Sequence, residues 1–261
     1  MRIPFLTPAP PRVAVIRLQG AIGATRGGLN DAALAPVIER AFRRRKPTAV
    51  ALVINSPGGS PVQSSLIAAR IRRLADQHDI PVHAFVEDMA ASGGYWLACA
   101  ADQIWADESS VLGSIGVITA GFGLQDFIAR HGIERRVHTA GRSKSTLDPF
   151  QPEKPEDIER LHAVLEPIHE AFKVHVRARR GARLAEADLF TGAFWAGRRA
   201  VELGLADGIA HLVPKMKAVY GDTVRFIPYS PRQPWFRRFG MGAAGGALDT
   251  LDERARAGVQ A

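Results

Sequence analysis

Ala49-Val50-Ala51-Leu52-Val53-Ile54-Asn55-Ser56-Pro57-Gly58-Gly59 is the stretch that decides the fold of this chain. Six apolar residues in a row leave no polar face. A strand with that pattern is buried on both sides, as in a parallel sheet covered by helices. The run stops at a turn rich in proline and glycine. A helix is expected from about residue 61 to 77, with Leu66, Ile67, Ile71 and Leu74 on one inward stripe. Strand, glycine turn and helix make up the first part of a βαβ unit.

The same alternation continues on both sides. Val13-Ala14-Val15-Ile16-Arg17-Leu18 reads as a mostly buried strand. Asn30 or Asp31 can cap a helix whose apolar positions are Leu34, Val37, Ile38, Ala41 and Phe42. Pro81-Val82-His83-Ala84-Phe85-Val86 is a further strand, a buried helix is expected over residues 96–101, and Gln103-Ile104-Trp105-Ala106 is a short strand. Residues 126–130 look helical and 135–139 extended. A long helix is expected over 156–180, where Ile158, Leu161, Leu165, Ile168, Phe172 and Val176 step by three and four. Pro167 predicts a kink in it and Gly181 its C-terminal cap. A short helix over 196–203 and a strand over 224–227 complete the pattern. The class is α/β. The expected organisation is an N-terminal extension over 1–12, one domain over 13–227, and a tail over 228–261 rich in proline, glycine, alanine and charge.

The 261 residues carry a net charge of +8, with 34 Lys and Arg against 26 Asp and Glu. Their basic groups lie on or beside expected helices, where cations at helix C-termini are favoured. The sequence has no aromatic-rich basic groove and no zinc-finger spacing, so nucleic acid is not an expected partner. A peripheral contact with an anionic membrane stays open. Single Cys99 excludes a disulfide within the chain and reads as a small buried hydrophobe. No apolar run approaches the ~20 residues of a membrane-spanning helix, and the proline-rich start does not read as a signal peptide. A cytoplasmic protein, free or peripheral on the inner membrane, is the resulting expectation.

Three short segments carry candidate chemistry. Ser92, in Ala90-Ala91-Ser92-Gly93-Gly94-Tyr95, follows an expected strand and opens an expected helix. Such a corner presents a side chain beside free backbone N–H groups, where negative charge is favoured. Taken alone, the same residues are an N-cap serine in a glycine turn. Gly58 and Gly59 can offer N–H groups to an oxyanion; taken alone, they are a strand-to-helix turn. Serine needs a base. Lys144, in Gly141-Arg142-Ser143-Lys144-Ser145, serves only when neutral, a form that burial favours. Ser114 or Ser145 can orient its amine. His83, His131 and His138 sit in no site-like setting, while His78, His162, His169, His175 and His211 are expected on or near helix surfaces. No cluster has metal-ligand spacing, so neither metal nor cofactor is expected.

Four motifs in order, Ile54-Asn55-Ser56-Pro57-Gly58-Gly59, Met89-Ala90-Ala91-Ser92-Gly93-Gly94-Tyr95, Leu112-Gly113-Ser114-Ile115-Gly116-Val117 and Ala200-Val201-Glu202-Leu203-Gly204-Leu205-Ala206-Asp207, resemble the signal peptide peptidase A or protease IV family, peptidase family S49, in its short single-repeat form. The resemblance covers about residues 13–212. It implies a Clp-protease/crotonase-like fold and a serine endopeptidase with a Ser/Lys dyad: Ser92 as nucleophile, Lys144 as base, Gly59 and Gly93 as oxyanion donors, and Ser114 steadying the lysine. It also implies a homo-oligomer with active sites near subunit interfaces. The substrates implied are signal-peptide remnants and other extended apolar peptides or unfolded proteins. Two other readings share the fold, a crotonase-like acyl-CoA enzyme and a catalytically silent scaffold. The serine and lysine together argue against both.

Overall fold

The computed structural model describes residues 9–23, 28–141 and 143–230. The deciding run is strand β2, Ala49–Ser56, buried throughout except at half-exposed Asn55. It pairs in parallel with β1, Arg12–Gln19, on one side and β3, Val82–Ala91, on the other. Between these strands run α1, Asp31–Arg43, and α2, Pro61–His78. Asn30 caps α1 by accepting the Ala33 N–H at 2.9 Å. Ser60 caps α2 with Pro61 in the first turn, and Asp79 ends it in a left-handed conformation, φ 52°.

Both helices pack on one face of the sheet. There Ile16, Leu18, Ile38, Leu52, Ile54, Ile67, Ile71 and Leu74 are fully buried. The inward stripe of α2 is Ser64, Ile67, Ala68, Ile71, Leu74 and Ala75. Leu66, expected on it, is 47% exposed, because it lies one residue, about 100° of helix turn, away from Ile67.

After β3 come α3, Gly93–Ala98, and the short strands β4, Gln103–Ala106, and β5, Val111–Gly113. β3 carries β4 along its first half and β5 along its second. Between Val86 and Ala90 it runs two residues longer than β2 opposite it, so its end is shifted toward β5. Beyond α4, Gln125–Arg130, lies the 26-residue α5, Pro155–Arg180, which runs through Pro167 and is capped at Gly181, φ 49°. The segment expected extended over 135–139 joins no strand pairing.

The chain then forms β6, Phe194–Ala196, α6, Gly197–Glu202, β7, Gly208–Ile209, α7, Leu212–Tyr220, and β8, Arg225–Tyr229. The sheet order is β6-β5-β3-β2-β1-β8, with β7 beside β4; only β5 and β6 pair antiparallel. α7 covers part of the second face, where Met216 packs with Val13, Ala51, Phe85 and Trp105. β8 runs two residues past the expected strand end. Pro228 and Tyr229 therefore belong to the sheet edge beside Val15 and Ile16, an edge position that tolerates proline. The tail from residue 231 and the first eight residues lie outside the described residues.

α5 departs most from expectation. Phe172, Val176 and Arg180 are buried, and Arg180 is tied to Asp207 at 2.8 Å and to the Gly204 carbonyl. Ile158 is exposed, and Leu161, Leu165 and Ile168 are only half-buried. Only the C-terminal end of α5 packs on the core; its N-terminal half presents an apolar stripe with no sheet beneath it.

Candidate active site

Ser92 is the single residue between β3 and α3. Its φ of 50° and ψ of −121° place it in a region that costs a non-glycine residue about 1–3 kcal/mol. The surroundings hold it there. Its N–H donates to the Gly113 carbonyl of β5 at 2.8 Å, and its own carbonyl accepts from Tyr95 at 2.9 Å and Trp96 at 3.1 Å. The hydroxyl-bearing side chain thus stands at the mouth of the first turn of α3. Gly93 and Gly94 form that turn, and their N–H groups have no acceptor within the helix. A Cβ on Gly93 would lie 2.4 Å from Ser64 Oγ. The sequence suggests glycine here for the approach of a substrate; the close packing of the corner against α2 also favours it, since a side chain would displace the Ser64 hydroxyl.

The turn after β2 is built from inside. Ser56 is fully buried; its hydroxyl donates to the Gly20 carbonyl at 2.8 Å and accepts the Gly58 N–H at 3.2 Å. Ile22 pairs with Gly59 in parallel fashion: Ile22 donates to Gly58 O at 2.7 Å, and Ser60 donates to Ile22 O at 2.8 Å. In that pattern the N–H of Gly59 itself points away from Ile22. Gly59 has φ 136°, and a Cβ there would lie 2.0 Å from the Ile22 carbonyl oxygen, so no side chain fits.

Gly59, Ser92, Gly93 and Ser114 line one cavity of about 950 Å³. Ser114 follows β5 at φ 52°, its N–H held by Ala193 O at 2.7 Å. The cavity has an apolar wall, to which α5 contributes Leu161, Val164, Leu165, Ile168 and Phe172. Four of the five residues picked from the sequence are therefore together.

Lys144 is not with them. It is exposed and does not line the cavity, contrary to the burial expected for a neutral amine. The reason is local. Its loop closes on itself through Leu124 N–H to Pro149 O at 2.6 Å and Arg135 to Asp148 at 3.0 Å, leaving Lys144 on an outer turn. Ser145 shares that loop, with its hydroxyl 3.5 Å from Asp148.

No histidine lines the cavity. His83 is buried on the second face of the sheet, 3.0 Å from the Tyr220 hydroxyl; His131 and His138 are exposed. His169 and His175, expected at a helix surface, instead face inward. His175 Nε2 lies 3.1 Å from Trp96 O and its ring stacks on Trp96; His169 Nε2 lies 3.1 Å from Ile115 O. Burial pushes His175 below the usual histidine range. The available signal was the spacing His169, Phe172, His175, which puts all three on one side of a helix. Cys99 is buried as expected, and burial pushes its thiol up to about 12. Among the described residues, no group of three or more His, Cys, Asp or Glu is placed to hold a metal ion, and no helix is long and apolar enough to cross a membrane.

The model of peptidase family S49 matches residues 75–217, a span that contains Ser92, Gly93, Ser114 and Lys144. A Brucella melitensis protein named Na(+)/H(+) antiporter NhaA is 47% identical over 253 residues, 94% of this chain but 34% of that protein. The chloroplastic serine protease SPPA of Arabidopsis thaliana is 31% identical over 79% of this chain and 32% of its own length. The chain thus spans about a third of these two relatives, and their names describe the longer proteins. The putative protease slr0021 of Synechocystis is 30% identical over 78% of this chain and 72% of its own length. Among solved structures, a mutant of the 1510-N membrane-bound stomatin-specific protease aligns over 86% of this chain with a TM-score of 0.49 and 14% identity, too distant to bear on the fold. With a family match across more than half of its length and protease relatives aligned along most of it, the chain belongs to peptidase family S49.

Proposed function

We propose that the chain is a serine endopeptidase on a Clp-protease/crotonase-like fold, with Ser92 as nucleophile and Lys144 as general base. The observation that carries this reading is the strained Ser92 corner, set beside the outward N–H of Gly59 and the free helix N–H of Gly93. In this mechanism Ser92 Oγ attacks the scissile carbonyl carbon while the neutral Lys144 amine takes its proton. The carbonyl oxygen becomes an oxyanion held by the Gly59 and Gly93 N–H groups. The Lys144 ammonium then protonates the leaving amine as the C–N bond breaks. Water, losing a proton to Lys144, attacks the acyl carbon; the acyl C–O bond to Ser92 breaks, and the Lys144 ammonium returns the proton to Ser92 Oγ, leaving the amine neutral again.

Because Lys144 lies on an exposed, self-closed loop, the dyad is completed on assembly, when that loop meets a neighbouring subunit's cavity. Ser114 is the hydroxyl that steadies the amine there. The apolar wall of the cavity supports extended apolar peptides, such as signal-peptide remnants, as substrates. A fluorophosphonate probe tests the nucleophile. It should label the full chain at Ser92 and leave Ser92→Ala unlabelled; an unlabelled wild type that still cleaves peptide would overturn the assignment.

A further inference from the structure

His169 sits on α5 directly after Ile168, a residue of the apolar cavity wall. Its Nε2 is 3.1 Å from the Ile115 carbonyl. A carbonyl oxygen only accepts, so this nitrogen carries the hydrogen and donates it. Ile115 is fully buried and follows Ser114, a cavity residue of positive φ. The turn is held on one side by Ser114 N–H to Ala193 O at 2.7 Å and on the other by His169.

Six residues along the same helix, His175 donates in the same way to Trp96 O at 3.1 Å. Between them, Phe172 stacks on the Trp96 ring at 4.8 Å. Trp96 belongs to α3, whose first turn starts from Ser92. One face of α5 therefore grips both segments that carry hydroxyls of the site, while the preceding turns of α5 form the wall a substrate would touch.

We propose that His169 is a positioning residue for the peptidase reaction: its Nε2–H holds the Ile115 carbonyl and so fixes the Ser114 hydroxyl where it steadies the base amine. This rests on the Ser92–Lys144 reading. His169 does not touch substrate. It acts through Ser114, so its loss lowers the chemical step rather than binding.

The test uses the full-length chain in its native assembly, an apolar fluorogenic peptide, and turnover counted per serine titrated with a fluorophosphonate. That normalisation removes any loss of folded protein. His169→Leu should lower kcat per titrated serine about tenfold, as expected for one lost hydrogen bond felt in the transition state, with KM changed by less than about twofold. His169→Gln, whose amide N–H reaches the same carbonyl, should recover most of it. If the leucine variant does not fold, His169→Asn takes its place; its shorter amide falls short of Ile115 and should turn over more slowly than the glutamine variant. Wild-type kcat in His169→Leu, a loss confined to KM, or a glutamine variant no better than leucine or asparagine would overturn the proposal while labelled Ser92 stands. A wild type that cleaves without labelling at Ser92 would overturn the underlying reading and this proposal with it.

Discussion

At the scale of single residues, the backbone of Ser92 is strained. Its φ of 50° with ψ of −121° suits glycine, and serine is held there by three hydrogen bonds from its own backbone. Ser92→Gly should therefore fold more stably than Ser92→Ala by about 1 kcal/mol, because glycine occupies that conformation without strain. Both variants should lose peptide cleavage. Urea unfolding compares the two; equal midpoints would mean that the corner is not strained. Gly59 sets the opposite limit. A methyl group there would lie 2.0 Å from the Ile22 carbonyl, so Gly59→Ala must push the turn away from Ile22. Peptide cleavage should fall at least a hundredfold, the usual cost of one displaced oxyanion donor. Retained kcat in that variant would remove Gly59 from the oxyanion role.

At the scale of elements, α5 joins stability to pH. Burial lowers the pKa of His175 on α5, and of His83 on β3, below the ordinary value of 6.5. The unfolded chain then binds more protons than the folded chain as pH drops through 6.5. The stabilisation is fully present above that pH and is lost as pH falls toward the lowered folded-state values. Urea midpoints should be level above about pH 7.5 and decline below 6.5. His175→Gln, which keeps an N–H for Trp96 O, should make that decline shallower; an unchanged decline would put its source elsewhere.

The same helix marks how far the sequence could be read. Long elements with strong periodicity were legible: β1, β2, α1, whose cap is the first of the two candidates Asn30 and Asp31, and both ends of α5. The strands β5, β6 and β7 have two or three residues each, too few for alternation to register. α7 carries Pro214 in its first turn and buries only Met216, so it shows no apolar stripe. Ile158, Leu161 and Leu165 keep helical spacing without a core beneath them, because spacing records which residues share a face and not what that face meets. For the candidate site, the Ser92 corner and the Gly58-Gly59 turn stand out in local sequence, while Gly93 as a donor and Ser114 over Ser145 were singled out through the family resemblance; all of Gly59, Ser92, Gly93 and Ser114 line one cavity. The inward turn of His169 and His175 depends on the crossing of α5 over α3, which no local pattern encodes.

At the scale of the whole molecule, the exposed side chains raise the question of assembly. Ile118 is 85% exposed and Val164 58%, both lining a cavity whose proposed base lies outside its lining. Apolar surface of this kind beside a functional cavity commonly marks a contact between chains. On the proposed reading, a closed homo-oligomer such as a head-to-tail ring would let each loop reach a neighbour's cavity. Sedimentation should show an oligomer, and a fully active monomer would end this reading. The sharper experiment mixes two inactive chains. Ser92→Ala and Lys144→Ala chains, each without peptide cleavage alone, are unfolded together in equal amounts and refolded. If each site takes its serine from one subunit and its lysine from the next, half of the serines and half of the lysines are intact. About a quarter of the sites are then complete, and the mixture should recover about a quarter of the wild-type rate. If both residues come from one chain, no site in any mixture is complete and the rate stays at background. Recovery separates the two arrangements without knowledge of subunit number, because the fraction depends only on whether serine and lysine are drawn independently.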